Sequence, residues 1–486
     1  MSSRLAYGMA DIYGGGAFVI VGTFFTVFLT KCYGMPTALA GTIPLIGKVW
    51  DAVTDPLMGN IVDRTKSKFG AKRFYLLIGS IFSAITFILM WTSINTDSMA
   101  VTYIYYCAMY MVFSTGFTVT MVPYNALLPD MVDDYVLRSK YSSVRMLCSS
   151  IGAILCSYIP SAMIQDNTDS KQYLTVAMVF SVVFLIAVLI TFLGTWERQK
   201  PVVKISFKQS FVQSFTVYRN KSFVLFLAIF LCGQGTSDFV NGLAVYYVDD
   251  VLNAYEGNNF AMYSAILYGS QLVGTLILTP IMAKTNKKIP IQVGFPIKIV
   301  AMIAFLFFSY EGVNFNIILF LTIFLGFGNA CSNSSIYAIL SDMADIDELI
   351  TSVSRPGTCS GMATFIRKIA TGLSSTIIGI LLAFVGYDEV AASEGLRQTA
   401  ATQQGIALLF VFGPVLMMVL TLIFMKLFPV GKHEFEVVRK EVARRKGEDD
   451  SVATPEEIAI CERVTGFSYD RLWNKDNMLK LNTPRH

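Results

Sequence analysis

Residues 37–62 read TALAGTIPLIGKVWDAVTDPLMGNIV, and this stretch decides what kind of chain it belongs to. It is long enough to span a bilayer as a helix, which takes ~20 mostly apolar residues. Its interior nevertheless carries Lys48, Asp51 and Asp55. The two aspartates are spaced i, i+4 and share one helix face, with Lys48 one turn before on nearly the same face. A charge at bilayer depth costs ~2.5–3.5 kcal/mol on insertion scales, so such groups face a bundle interior and work there. Two carboxylates this close repel when both are ionised. A bound Na⁺ relieves the repulsion, because a hard cation takes several oxygen ligands. A shared proton relieves it too. Either way the pair reads as a cation site. The competing reading is a structural ion pair of Lys48 with one aspartate, which leaves the second carboxylate unmatched.

The rest of the chain has the same apolar character. Of 486 residues, 54% are hydrophobic and 15% charged, and the mean hydropathy is +0.56. Soluble domains carry about 25% charged residues, and a soluble chain this apolar would expose aggregating patches. Spanning runs are predicted at 7–31, 37–62, 74–95, 101–127, 144–164, 173–195, 223–250, 260–283, 290–311, 314–340, 361–386 and 403–428. Helices are the expected form, because backbone polar groups in lipid must be satisfied within their own segment. Lys and Arg concentrate in every second connection: Arg64 to Arg73, Arg138 and Lys140, Arg198 to Lys221, and Lys284 to Lys288. That bias places both termini in the cytoplasm of a cell-membrane protein. The first run shows no cleavage site, so no removable signal is expected.

Several functions are excluded. A net charge of +4 gives no case for nucleic acid. The eight cysteines lack metal-ligand spacing and read as small apolar side chains. Both histidines, His433 and His486, lie in the polar tail, so a membrane enzyme built on histidine is not expected.

The halves look duplicated. Asn125-Ala-Leu-Leu-Pro-Asp130-Met-Val-Asp-Asp134 resembles Tyr337-Ala-Ile-Leu-Ser-Asp342-Met-Ala-Asp-Ile346, each after the fourth helix of its half. An all-α membrane protein of two six-helix halves follows: 1–195, a basic middle loop 196–222, 223–430, and a tail 431–486. The tail reads as solvated with one or two short helices, with Thr454-Pro-Glu-Glu457 as an N-terminal cap and Leu472 and Trp473 docking on the bundle.

A second, cationic cluster comprises Arg145 near the start of the fifth span and Arg367 and Lys368 near the start of the eleventh, pseudo-equivalent places in the two halves. Their donors suit sugar hydroxyls or a carboxylate; snorkelling to the interface is the rival reading. Asp11, Thr118, Asn125, Gln234, Asp238, Asn241 and Asn329 are polar positions within spans, more often helix–helix contacts than ligands. In the loop after the second span, Gly59 permits close helix approach, and Asp63, Arg64, Gly70 and Arg73 suit contacts that change between access states.

Trp50-Asp51-Ala52, Asp55-Pro56-x-Met58-Gly59 and Asp63-Arg64-Thr65-x-Ser67-x-Phe69-Gly70 resemble the second helix and following loop of the glycoside–pentoside–hexuronide:cation symporters, the melibiose-permease-like branch of the major facilitator superfamily. Tyr7-Gly8 with Asp11, Pro123-Tyr124-Asn125-Ala126-Leu127 and Thr364-Phe365-x-x-Lys368 extend the likeness over about 1–430. The resemblance implies cation ligands at Asp51, Asp55, Thr54 and Thr118, and solute contacts at Arg145, Lys368, Thr364, Asn125 and Asp11. Gly15 and Met121 stand where that family has sugar-binding aspartates, and Asn125 where it has a tryptophan. The expectation is a monomeric sugar symporter in membrane lipid, driven by Na⁺ or H⁺ with Li⁺ as an alternative, and without a cofactor. Two rivals are the same scaffold carrying a lysolipid-like amphiphile and a sensor acting through the tail.

Overall fold

The computed structural model describes residues 3–94, 96, 98–132, 135–198, 213–254 and 258–479. Most of the middle loop expected at 196–222 lies outside these, as do the side chains of Asp63 and Arg64. Among these residues twelve long helical segments follow one another: α1 (Ser3–Cys32), α2 (Thr37–Arg64), α3 (Ala71–Met90), α4 (Met99–Met131), α5 (Tyr135–Met163), α6 (Ser170–Gly194), α7 (Lys221–Val251), α8 (Asn259–Lys284), α9 (Ile289–Phe307), α10 (Phe315–Thr351), α11 (Pro356–Phe384) and α12 (Ala400–Leu427). Among the described residues, eleven have the length and apolar composition to cross a membrane. The twelfth is α2, whose internal charges lower its hydropathy. The most informative span is thus the one that composition alone rejects.

Caps fix several boundaries. Asp169 opens α6 by accepting from Lys171 N (3.0 Å), Asn220 opens α7 through Ser222 N (3.0 Å), and Asn314 opens α10 through Asn316 N (3.1 Å). Each satisfies a backbone donor that the helix itself leaves unpaired. The duplication is visible in detail. The first helix of each half ends in a π-helical turn, Phe28–Cys32 and Tyr247–Val251. The two matched motifs also play matched roles: Asp130 pairs with Lys72 at the start of α3, and Asp342 with Lys287 just before α9 (2.5 Å).

Within the first half α1 packs on α5 and α6, and α3 on α4 and α6. In the second, α10 packs on α8 and α9, and α7 on α11 and α12. The halves meet along α2 with α11, α5 with α8, and α1 with α7. Small residues set these distances. A Cβ on Gly15 would stand 2.2 Å from Ser149 Oγ, which is why α1 keeps its glycine run against α5. Along α2 and α11, a Cβ on Gly41 or Gly379 would stand 2.6 Å from Ser375 O or 2.2 Å from Thr37 O.

The tail differs from the solvated segment expected of it. Helices α13 (Lys432–Lys446) and α14 (Pro455–Thr465) bury Val437, Val438, Val442, Ile460, Cys461 and Val464. Thr454 caps α14 as anticipated, accepting from Glu457 N at 3.2 Å. Leu472 is buried, and the Trp473 and Asn474 amides donate to Leu349 O (2.8 Å) and Ile350 O (3.2 Å) at the end of α10. Val437, Val438 and Val442, grouped on one face of α13, and a short apolar stripe on α14 are enough apolar surface to dock, although the mean charge of the segment suggested solvation.

Candidate functional site

Lys48 of α2 lines a cavity of about 570 Å³ formed from both halves, by Gly15, Phe18, Lys48 and Tyr110 on one side and Asp238, Asn329, Arg367 and Lys368 on the other, and Asp51 and Asp55 follow Lys48 along the same helix. Asp51 is 1% exposed. Its Oδ2 receives Lys48 Nζ at 3.3 Å and faces Lys368 Nζ at 3.8 Å, while its Oδ1 is buried without a hydrogen bond among the described residues. Asp55 accepts from Thr118 Oγ1 on α4 (2.7 Å) through Oδ1 and pairs with Lys368 of α11 through Oδ2. Lys48 Nζ also lies over the Phe18 ring at 3.4 Å. Two carboxylates are therefore matched by two lysines, one from each half. The sequence reading allowed Lys48 alone to answer them. It placed Lys368 with the arginines, whereas the fold turns Lys368 onto the aspartates.

The arginines have partners of their own, related by the duplication. Arg145 on α5 bonds Asp11 Oδ1 of α1 at 3.2 Å and Asn125 Oδ1 at 2.7 Å, with its guanidinium over the Tyr124 ring. Arg367 on α11 binds both oxygens of Asp238 on α7 at 2.7 Å each. First and fifth helices are thus bridged by an Arg–Asp pair in each half. A buried bidentate pair of this kind holds geometry more than it adds stability. Thr364 lines the cavity. Thr54 turns its hydroxyl back to Trp50 O (3.1 Å), and so contacts its own helix in this state.

One end of the cavity is closed by contacts between the halves. Lys31, at the π turn ending α1, bonds Asp249 Oδ2 (2.8 Å) and Asp250 Oδ1 (2.9 Å) at the π turn ending α7. Asn167 Nδ2 donates to the same Asp249 oxygen at 2.7 Å, and Thr30 and Tyr246 share a hydrogen bond of 2.9 Å. Glu389 caps α2 from the other half, accepting from Thr37 N at 2.7 Å. Toward the basic loops, beyond the Lys368 bridge, a Cβ on Gly59 of α2 or Gly361 of α11 would meet nothing within 4 Å among the described residues. The loop after α2 binds within its own half. Gly70, at φ +95°, lets the chain turn so that Glu197 Oε2 receives Lys72 N (2.9 Å) and Arg73 N (3.2 Å), and Arg73 Nη2 donates to Phe192 O (2.8 Å).

The closing contacts were missed from sequence, because Lys31, Asp249 and Asp250 sit at helix ends where charges are ordinary. Asp238 and Asn329 were noted only as packing polar groups. No local signal separates them from packing groups: Asp238 gains its role only from Arg367, which reaches it from another helix.

Twelve helices in two related halves around a central polar cavity define a transporter of the major facilitator fold. Residues 6–432 match the family described as MFS/sugar transport protein. The chain belongs to that family and is a multi-pass secondary transporter, not an enzyme. It is 26% identical to a protein named putative sulfoquinovose importer of Escherichia coli (strain K12), over 94% of this chain and 97% of the relative. It is 25% identical to the isoprimeverose transporter of Lactiplantibacillus pentosus, over 89% of each. Among solved structures, the nucleoside transporter NupG superposes with a TM-score of 0.61 at 15% identity, covering 88% of this chain and 99% of NupG. The D-xylose-proton symporter superposes at 0.56 and 13% identity, covering 85% and 96%.

Proposed function

We propose that the protein accumulates a sugar by cation-coupled symport, working by alternating access between its halves, 1–195 and 223–430. The observation that carries the reading is the shared position of Lys368: it reaches from the second half onto Asp51 and Asp55 of the first. A Na⁺ or a proton that takes those carboxylates competes with the ammonium. Thr118, already on Asp55, adds a neutral oxygen, and the unpaired Asp51 Oδ1 is a ready acceptor. Displaced, Lys368 turns its charge to the cavity, where a sugar hydroxyl or carboxylate receives it. Cation and solute then favour the same state, a coupling of ~1–3 kcal/mol that is reciprocal by linkage.

The closed Lys31 end faces outward and the opposite end of the cavity inward, following the basic loops. A glycoside, pentoside or hexuronide is the solute class, supported by sugar-transport relatives; Arg145, Thr364, Asn125 and Asp11 complete its surroundings. Asp55→Cys, assayed in membrane vesicles with a glycoside panel under imposed Na⁺ and H⁺ gradients, loses uphill accumulation while protein level in the membrane is unchanged. Concentrative uptake at the wild-type level in that variant overturns the cation site.

A further inference from the structure

The mechanism above leaves several buried charged residues unused, and one of them lies in the middle of a span. Lys298, on α9, is fully buried and joins no ion pair among the described residues. Its Nζ donates to Asn329 Oδ1 at 2.6 Å and Thr236 Oγ1 at 3.2 Å. Its stem runs against Gly328, where a Cβ would stand 2.5 Å from Lys298 Cδ. The duplication shows that helix packing here does not demand a lysine. Lys298 lies as far beyond Lys287 as Ser83 lies beyond Lys72, and in the first half the Ser83 hydroxyl suffices, bonding Gly116 O (2.8 Å) and Thr120 (2.7 Å). An ammonium without a counter-ion in this setting is costly.

What the lysine does is visible at its partner. When protonated the lysine only donates, which sets the Asn329 carbonyl oxygen against it, as observed. Ser237 Oγ donates to that same oxygen at 3.1 Å. With both acceptor sites engaged, Asn329 offers the cavity it lines its amide nitrogen, which has no acceptor among the described residues. Alongside, Gln234 Nε2 donates to Asn333 Oδ1 at 2.5 Å, which takes one of that oxygen's two acceptor positions, and both residues line the same cavity.

We infer that Lys298 is a specificity-determining positioning residue: it holds Asn329 with its amide nitrogen toward the cavity, building in the second half a subsite that recognises an acceptor oxygen of the solute. The inference rests on the cavity being the sugar site. It is tested by binding glucose, xylose, methyl glucosides, glucuronate and the matching deoxy sugars to purified protein, together with uptake kinetics in proteoliposomes.

Lys298→Met weakens the best-bound sugar about tenfold, the scale of one well-placed hydrogen bond. It raises KM in step while maximal rate stays within about twofold, and it erases discrimination against one deoxy analogue. Lys298→Gln restores both, because its amide donates to the same oxygen. Asn329→Leu copies Lys298→Met, and the double variant is no worse than either. A folded Lys298→Met with wild-type affinity and discrimination overturns the inference, as does a Gln variant no better than Met. If Lys298→Met does not fold, Asn329→Leu and Ser237→Ala decide on the same readouts. Sugar binding intact but uptake indifferent to cations overturns the symport reading and leaves this one standing; a wild-type protein that binds none of the sugars overturns both.

Discussion

Replacing Lys368 with methionine should tighten cation binding while ending uphill transport. The Lys368 ammonium stands 3.8 Å from Asp51 Oδ2 and closer to Asp55. At 3.8 Å and an effective dielectric near 20, one such contact is worth about 4 kcal/mol before desolvation. The Lys368 and Asp55 side chains are 23% and 29% exposed, so solvent leaves roughly 1–2 kcal/mol of that as the opposition an incoming cation meets. Removing the ammonium returns this amount to the cation, an increase in affinity of ~5–30-fold. Lys48 remains on Asp51 in the variant and keeps the gain from being larger. The assay is Na⁺ titration of purified wild type and Lys368→Met by calorimetry, with proton uptake followed in parallel, and solute accumulation measured in proteoliposomes. Tighter cation binding with accumulation reduced to facilitated equilibration is the expected pair of results. A folded variant whose cation affinity is unchanged or weaker refutes the competition on which the coupling depends.

Lys31→Ala should loosen the closed end, because it leaves Asp249 and Asp250 without their shared cation; a cysteine at Thr26, which lines the cavity, should then react several-fold faster with an impermeant maleimide added from outside. Thr454→Ala should cost about 1 kcal/mol of α14 stability, read as faster proteolysis between α13 and α14 with uptake unchanged. Glu457 is held down from 4.5 to about 2 by the Thr454 backbone amide and by Arg444 and Lys440. Its contribution to holding α14 on α13 is therefore complete above pH 4.5 and lost as pH falls toward 2, which hydrogen exchange of α14 in acid will show. Deleting 431–486 exposes the apolar faces that α13 and α14 cover and should lower the melting temperature by several degrees. Cation-dependent uptake per folded molecule should survive it, whereas a sensor acting through the tail would lose its function.

Most of the architecture was legible before any coordinates. Twelve apolar runs, alternate basic loops and one matched motif pair predicted the helix ends to within about five residues, since bilayer length and backbone satisfaction leave the chain little choice, except that α5 starts at Tyr135 rather than 144 and α10 runs on to Thr351 rather than 340. The acidic pair of α2 was legible for the same reason: charges that expensive in lipid must point inward. Partnership was not. Lys368 and Arg367 are neighbours in sequence and look like one basic cluster, yet a helix turns successive residues by about 100°, so one meets Asp55 across the interface and the other meets Asp238 within its own half. Lys298 and Lys31 gave no local sign at all, one a single lysine in an apolar run and the other an ordinary charge at a helix end. The local pattern determines which faces are apolar and where the chain can span. Which charges answer one another depends on how α2 packs on α11 and α1 on α7, and those contacts join positions hundreds of residues apart that no period in the sequence relates.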